Sequence, residues 1–182
     1  RMSASDFGDV DFALGTVRGF RRWKVGVEGV LTGISHTSDW MPGENVAECK
    51  AHPRAEQVER KRDDEEYSDY YRRVSEWKDS HDYAACAHGF YAYFDGRDER
   101  TYAGGDPCVS GVIDAYGEVL IGTRGFRATK AKIVALSVAP HLGLWRLEKF
   151  VTDRILANYP GVPIFDSELA MRASLPALLL LA

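Results

Sequence analysis

The sequence predicts an α+β protein: a mainly antiparallel β-sheet or partly open barrel, a charged helical insertion and two C-terminal helices. Three observations carry that expectation. Between residues 17 and 138, short runs of β-branched and aromatic residues are divided by Gly, Asp and Pro, which is how strands joined by turns read. Residues 53–80 are dense in mixed charge, with Tyr67, Tyr70, Tyr71, Val74 and Trp77 at spacings of three and four. That spacing lays one face of a helix. Residues 143–161 place Leu144, Leu147, Phe150, Val151, Ile155 and Leu156 on one side, and Pro160 follows, as at the end of an amphipathic helix.

The elements follow in order. Residues 1–16 are polar and acidic and predict a loosely held arm. In 16–34, Val17, Gly19 and Arg21 alternate with Phe20, Arg22 and Lys24, and Trp23 and Val25 lie beyond. A break at Val27-Glu28-Gly29 makes this a hairpin. Residues 35–45 are a loop marked by Ser, Asp, Pro and Gly, and 46–49 a short strand or turn. One or two helices are expected in 53–80, with charged faces supported by pairs such as Glu56 and Arg60. From 87 the β pattern returns, and Tyr116-Gly117-Glu118 reads as a tight turn between two strands. A short extended "VPIF" precedes a last helix capped by Asp166 or Ser167, with Pro176 as its kink or boundary. All of this fits one domain over 1–182, with a β-rich core at 17–138, the insertion at 53–80 and helices in 143–182.

Composition narrows the function classes. The 182 residues carry a net charge of -4, so no global attraction to nucleic acid or an anionic membrane is expected. Three cysteines, Cys49, Cys86 and Cys108, suit reduced thiols in a cytoplasmic protein better than a disulfide framework. Asp6, Asp9 and Asp11 interrupt the start where a secretory leader would be apolar. The tail "LPALLLLA" is too short to span a bilayer; it reads as the end of a packed helix or as a docking segment.

The stretch "ACAHGFYAYFDG", 85–96, opens the question of a metal. Zinc takes thiolate and imidazole in a tetrahedron, and Cys49, His52, His81, Cys86 and His88 are candidates. If that segment is a strand, Cys86 and His88 share one side of it. His52 and His81 bracket the charged stretch, so an excursion that returns to its origin brings three firm ligands and one of these two histidines together. A closed four-ligand site is structural. The bland alternative is that the cysteines are small buried hydrophobes.

The motifs Gly19-Phe20-Arg21-Arg22-Trp23, Trp40-Met41-Pro42-Gly43, Ala47-Glu48-Cys49, Cys86-Ala87-His88-Gly89-Phe90-Tyr91-Ala92, Gly111–Gly117 and Gly122–Ala128 resemble the pattern of a family of small uncharacterised proteins from actinobacteria and their bacteriophages. The resemblance covers about 17 to 135. It implies a cysteine where this chain has His88, and a Cys-to-His exchange keeps a zinc site. It also implies that the charged helix is an insertion. It implies no activity.

Other features weigh as follows. Arg124, Arg127, Lys130 and Lys132 cluster around a Gly turn and could grip phosphate, with Phe126 to stack a base; arginines paired to neighbouring acids are the plainer reading. No P-loop and no G-x-S-x-G elbow occurs. His81-Asp82 lacks the further ligands of a metal phosphohydrolase, and nothing cationic in local sequence would activate Cys108. Tyr67, Tyr70, Tyr71, Arg73 and Trp77 form either a helix face laid on the sheet or a surface for a protein partner. The leading expectation is a zinc-stabilised, non-enzymatic binding or regulatory protein, phage-encoded and acting on a host protein in the host cytoplasm, with no membrane role. Nucleic-acid or nucleotide binding through Arg124 and Arg127 is one alternative. A small metal-dependent hydrolase, in which the zinc keeps a water at its fourth position, is another.

Overall fold

The structure is a computed structural model that describes residues 11–12, 15–26, 28–34, 39–47, 61–79, 88–95, 108–138 and 145–179. The chain is α+β, as its pattern predicts. Its strands are β1 (Asp11–Phe12), β2 (Val17–Val25), β3 (Leu31–Gly33), β4 (Asp39–Trp40), β5 (Glu44–Val46), β6 (Phe90–Tyr93), β7 (Cys108–Ile121), β8 (Gly125–Ser137), β9 (Ile164–Phe165) and β10 (Leu178–Leu179). The described helices are α1 (Tyr67–Asp79), α2 (Trp145–Asn158) and α3 (Glu168–Ser174).

The long β7–β8 hairpin organises the sheet. Its turn is tight: the Gly122 N–H donates to the Gly125 carbonyl at 2.8 Å. β2 runs antiparallel along β7 from Val17↔Ala115 to Lys24↔Cys108. β6 pairs with β8 and touches β2 at Phe20↔Tyr93. The pairings β2–β7–β8–β6–β2 therefore close a circuit, with that single Phe20↔Tyr93 bridge as its last link. Among the described residues, β9 alone joins in parallel, at Leu136 and Ser137 of β8.

Strand periodicity decides what is inside. Val17, Trp23 and Val25 of β2, Val109, Ile113 and Ala115 of β7, and Ala131, Ile133 and Leu136 of β8 fill the main core. Trp40 lies edge-on to Trp23 at 5.2 Å and to Phe90 at 4.6 Å, and such pairs add about 0.5–1.5 kcal/mol each beyond their burial. The opposite face, with Phe20, Val112 and Ala135, closes around Met171 of α3. Ser167 caps α3 by accepting the Ala170 N–H at 3.1 Å. Ile155 of α2 is buried in the main core, and so is Tyr159 just beyond the helix.

Several sequence expectations change. Residues 116–118 are no turn: β7 continues through them, and Gly117 at φ 81° marks a register shift between Tyr116 and Val119. A left-handed glycine serves a bulge as readily as a turn, and the Glu118 N–H donating to Thr129 Oγ1 at 3.0 Å holds the strands together there. Asp11 and Phe12, assigned to a loose arm, pair with Ile121 and Leu120. Leu178 and Leu179, read as helix end or docking tail, form a strand on Arg18 and Val17. Pro176 falls between that strand and α3, at the boundary it predicted. The Arg-rich 122–132 stretch is a loop only at 122–124; the rest is β8. The hairpin at 17–33 stands as expected.

Candidate functional site

Three places bear on function: the junction of β5 and β6, the face of α1, and the interior of β2.

β5 and β6 lie end to end along one edge of β8. Glu44, Asn45 and Val46 pair with Lys132, Ala131 and Lys130, and the Ala47 N–H then donates to the Thr129 carbonyl at 2.8 Å. Phe90 takes the next place, opposite Ala128. The chain thus leaves the sheet at Ala47 and re-enters at Phe90 as if a single strand had been interrupted. Asn45 secures the exit loop: its side chain accepts the Met41 N–H at 2.7 Å and donates to the Met41 and Gly43 carbonyls.

Of the metal candidates, the structure describes His88. His88 is half-buried just ahead of β6. Cys49, His52, His81 and Cys86 lie outside the described residues. Among the described residues, no three His, Cys, Asp or Glu side chains converge as a metal site. The junction does meet the requirement of the zinc reading, that both ends of the excursion return to one place. Cys49 is two residues beyond Ala47, a reach of at most ~7 Å.

α1 begins at Tyr67, while residues 61–66 are non-helical. Glu65 anchors its start: Arg73 Nε and a terminal nitrogen donate to the two carboxylate oxygens at 2.8 and 2.7 Å, and the Arg62 N–H adds a third contact at 3.1 Å. The hydrogen bonds from Arg73 come first in holding the Glu65 carboxyl down to about 2. Tyr70 and Tyr71 meet edge-on at 5.2 Å, and Lys61 lies over Tyr67. Tyr67 and Tyr71 are 66% and 65% exposed. Tyr70, Arg73 and Val74 of the same helix are half-buried. Trp77 is in the helix, and its side chain lies outside the described residues.

The phosphate candidates do not converge. Arg124 is exposed in the β7–β8 turn, 6.0 Å from the Tyr93 ring centroid. Arg127 is only 4% exposed, because β8 is covered on both faces there. Lys130 is three residues further along the strand, so it faces away from Arg127, and it pairs with Glu44 at 3.5 Å.

β2 carries side chains to which the sequence motifs assigned no role. Arg18 makes a two-pronged pair with Asp114, its cross-strand partner, at 2.7 and 3.0 Å. Arg22 donates to Ser110 Oγ at 3.1 Å, Ser110 donates to Glu168 at 3.0 Å, and Arg172 pairs with the same carboxylate. This network ties α3 to the sheet. Arg21 points the other way, to the side of Val17, Trp23 and Val25. Its guanidinium lies 4.8 Å from the Trp40 ring centroid and 6.0 Å from that of Trp23, and donates to the Tyr91 carbonyl at 2.7 Å. Desolvation pushes it down to about 10. The signal for it was legible: a cation in the register of the buried apolar positions.

The chain matches no protein-family model, no curated protein and no solved structure. No described helix is long and apolar enough to cross a membrane.

Proposed function

We propose that the chain is a zinc-stabilised, non-enzymatic binding protein, phage-encoded, that engages a host protein in the host cytoplasm through α1. The observation that carries this reading is the junction: Ala47 and Phe90 sit at consecutive places on β8, so the segment bearing α1 starts and finishes at one point of the sheet. In this reading Cys49, Cys86, His88 and one of His52 and His81 hold the metal. Zinc bound there supplies a cross-link at the base of the excursion, and ligands drawn from both its ends favour folding of the loaded form. Exposed Tyr67 and Tyr71, with Tyr70 and Arg73 behind them, are of the residue types enriched where proteins bind one another.

Two measurements separate the parts. Protein purified without added metal is expected to hold about one zinc per chain, lost with thermal stability in Cys86→Ala; a metal-free, stable wild type removes the zinc. Pull-down from host lysate is compared for wild type, a variant lacking 54–79 and Tyr67→Ser/Tyr71→Ser. A partner kept by all three removes the α1 interface and leaves the zinc untouched.

The nucleic-acid reading retains Arg124, whose exposed guanidinium above Tyr93 is placed as a stacking group would be. Binding that falls with salt and is unchanged in Arg124→Ala/Arg127→Ala would remove it.

A further inference from the structure

Arg18, Arg22, Arg73, Arg154 and Arg172 each sit against a carboxylate. Arg21 does not, although it is half-buried on the core side of β2. Among the described residues its polar contact is the Tyr91 carbonyl, and its Nε is sealed from solvent with no hydrogen-bond partner. A cation drawn into an apolar setting costs several kcal/mol unless an anion or a full set of acceptors compensates it. One carbonyl and two indole faces compensate only in part, since a cation–π contact contributes about 0.5–2 kcal/mol. A leucine would fill the same register more cheaply, so the charge has a use that packing does not supply.

We propose that Arg21 is the anion-reading group of a ligand site on the interior face of the sheet, whose occupant carries a carboxylate or phosphate group. The geometry is that of a preset receptor. Trp40 fixes the guanidinium plane, and the Tyr91 carbonyl holds one terminal nitrogen. The residue is half-buried rather than sealed, which leaves an ion room to approach. Charge-assisted hydrogen bonds of this kind are short and strong when the donor is desolvated beforehand. Trp23 and Trp40, both buried, back the charge from the core side.

The test is a tryptophan-fluorescence titration of the full chain with inorganic phosphate and, separately, succinate, at constant ionic strength held with chloride. Wild type is expected to give a saturable change. Arg21→Gln is expected to weaken it at least about tenfold, and Arg21→Lys to fall between, since lysine keeps the charge and loses the fork. Saturation by phosphate alone assigns a phosphate occupant; saturation by succinate alone assigns a carboxylate. A wild type without a saturable change for either ion overturns the proposal, whatever the variants do. So does an Arg21→Gln protein that binds as tightly as wild type.

Discussion

Ala47 and Phe90 occupy neighbouring places on one edge of β8, the first bonded to Thr129 at 2.8 Å and the second paired with Ala128. A strand that ran on from Ala47 would put residue 48 where Phe90 stands. Among the described residues, this edge of β8 is therefore continuous from Ala47 to Phe90 without the intervening chain.

Removal of residues 54–79 is expected to leave the core intact. Loop-closure entropy changes slowly with length, and the described ion pairs of α1, Arg72 with Asp69 and Arg73 with Glu65, are local to it. The midpoint of the near-ultraviolet transition, reporting Trp23 and Trp40, should move by less than ~4 °C. A loss of cooperative unfolding in this variant would show that the excursion helps build the core.

Tyr159 clasps the β3–β4 edge. Its hydroxyl accepts the Leu31 N–H at 2.8 Å and donates to the Trp40 carbonyl at 2.7 Å. Phenylalanine at this position keeps the ring and strands both buried backbone groups. Tyr159→Phe is expected to cost about 2–4 kcal/mol, measured by urea denaturation. A cost near zero would mean that water replaces the hydroxyl.

Gly111 is where Trp23 meets β7. A Cβ built there lies 2.6 Å from the Ala135 carbonyl oxygen and 2.7 Å from the Trp23 ring. The backbone contact cannot rotate away, so Gly111→Ala should destabilise by about 1–3 kcal/mol. Gly26→Ala, whose Cβ would meet only the Val30 carbonyl at 3.4 Å, should stay within ~0.5 kcal/mol of wild type. Equal midpoints for the two variants would contradict the packing described here.

Glu65 ties the start of α1 to Arg73 and titrates low, at about 2. A carboxyl whose folded value is depressed stabilises fully above its unfolded value and loses that contribution as pH falls through the folded one. The contact should therefore weaken between roughly pH 4.5 and 2. Limited proteolysis around 61–66 with an acid-active protease should accelerate over that window in wild type. Glu65→Gln should show the faster rate at every pH. A wild-type rate that stays flat through the window would show that the ion pair does not hold the segment.

Much of the fold was legible because it rests on local chemistry. The 17–33 hairpin follows from alternation around Glu28-Gly29, α2 from its apolar spacing, and the start of α3 from Ser167 as a cap. Gly117 was misread because a left-handed glycine fits a turn and a bulge alike, and only the facing Thr129 decides between them. The Leu-rich tail was misread because an apolar run has no intrinsic preference between helix and edge strand until a partner, here β2, presents free backbone groups.

The candidate residues divide the same way. That Tyr67, Tyr70, Tyr71 and Arg73 share a helix was fixed by spacing alone; that Tyr67 and Tyr71 are exposed while Tyr70 and Arg73 are half-buried is a property of the assembled chain. The phosphate cluster was written as neighbours in sequence, yet strand alternation sends Arg127 and Lys130 to opposite faces and burial removes the first from solvent. Arg21 gains its meaning only from Trp40 and Tyr91, distant in sequence and adjacent in space. By itself the sequence determined the α+β class, the hairpin and the helices, because these depend on periods of two and 3.6 residues. The tertiary structure decided which strands run on, which cations are buried and where the excursion begins and ends, because burial and pairing depend on what another part of the chain brings to the same place.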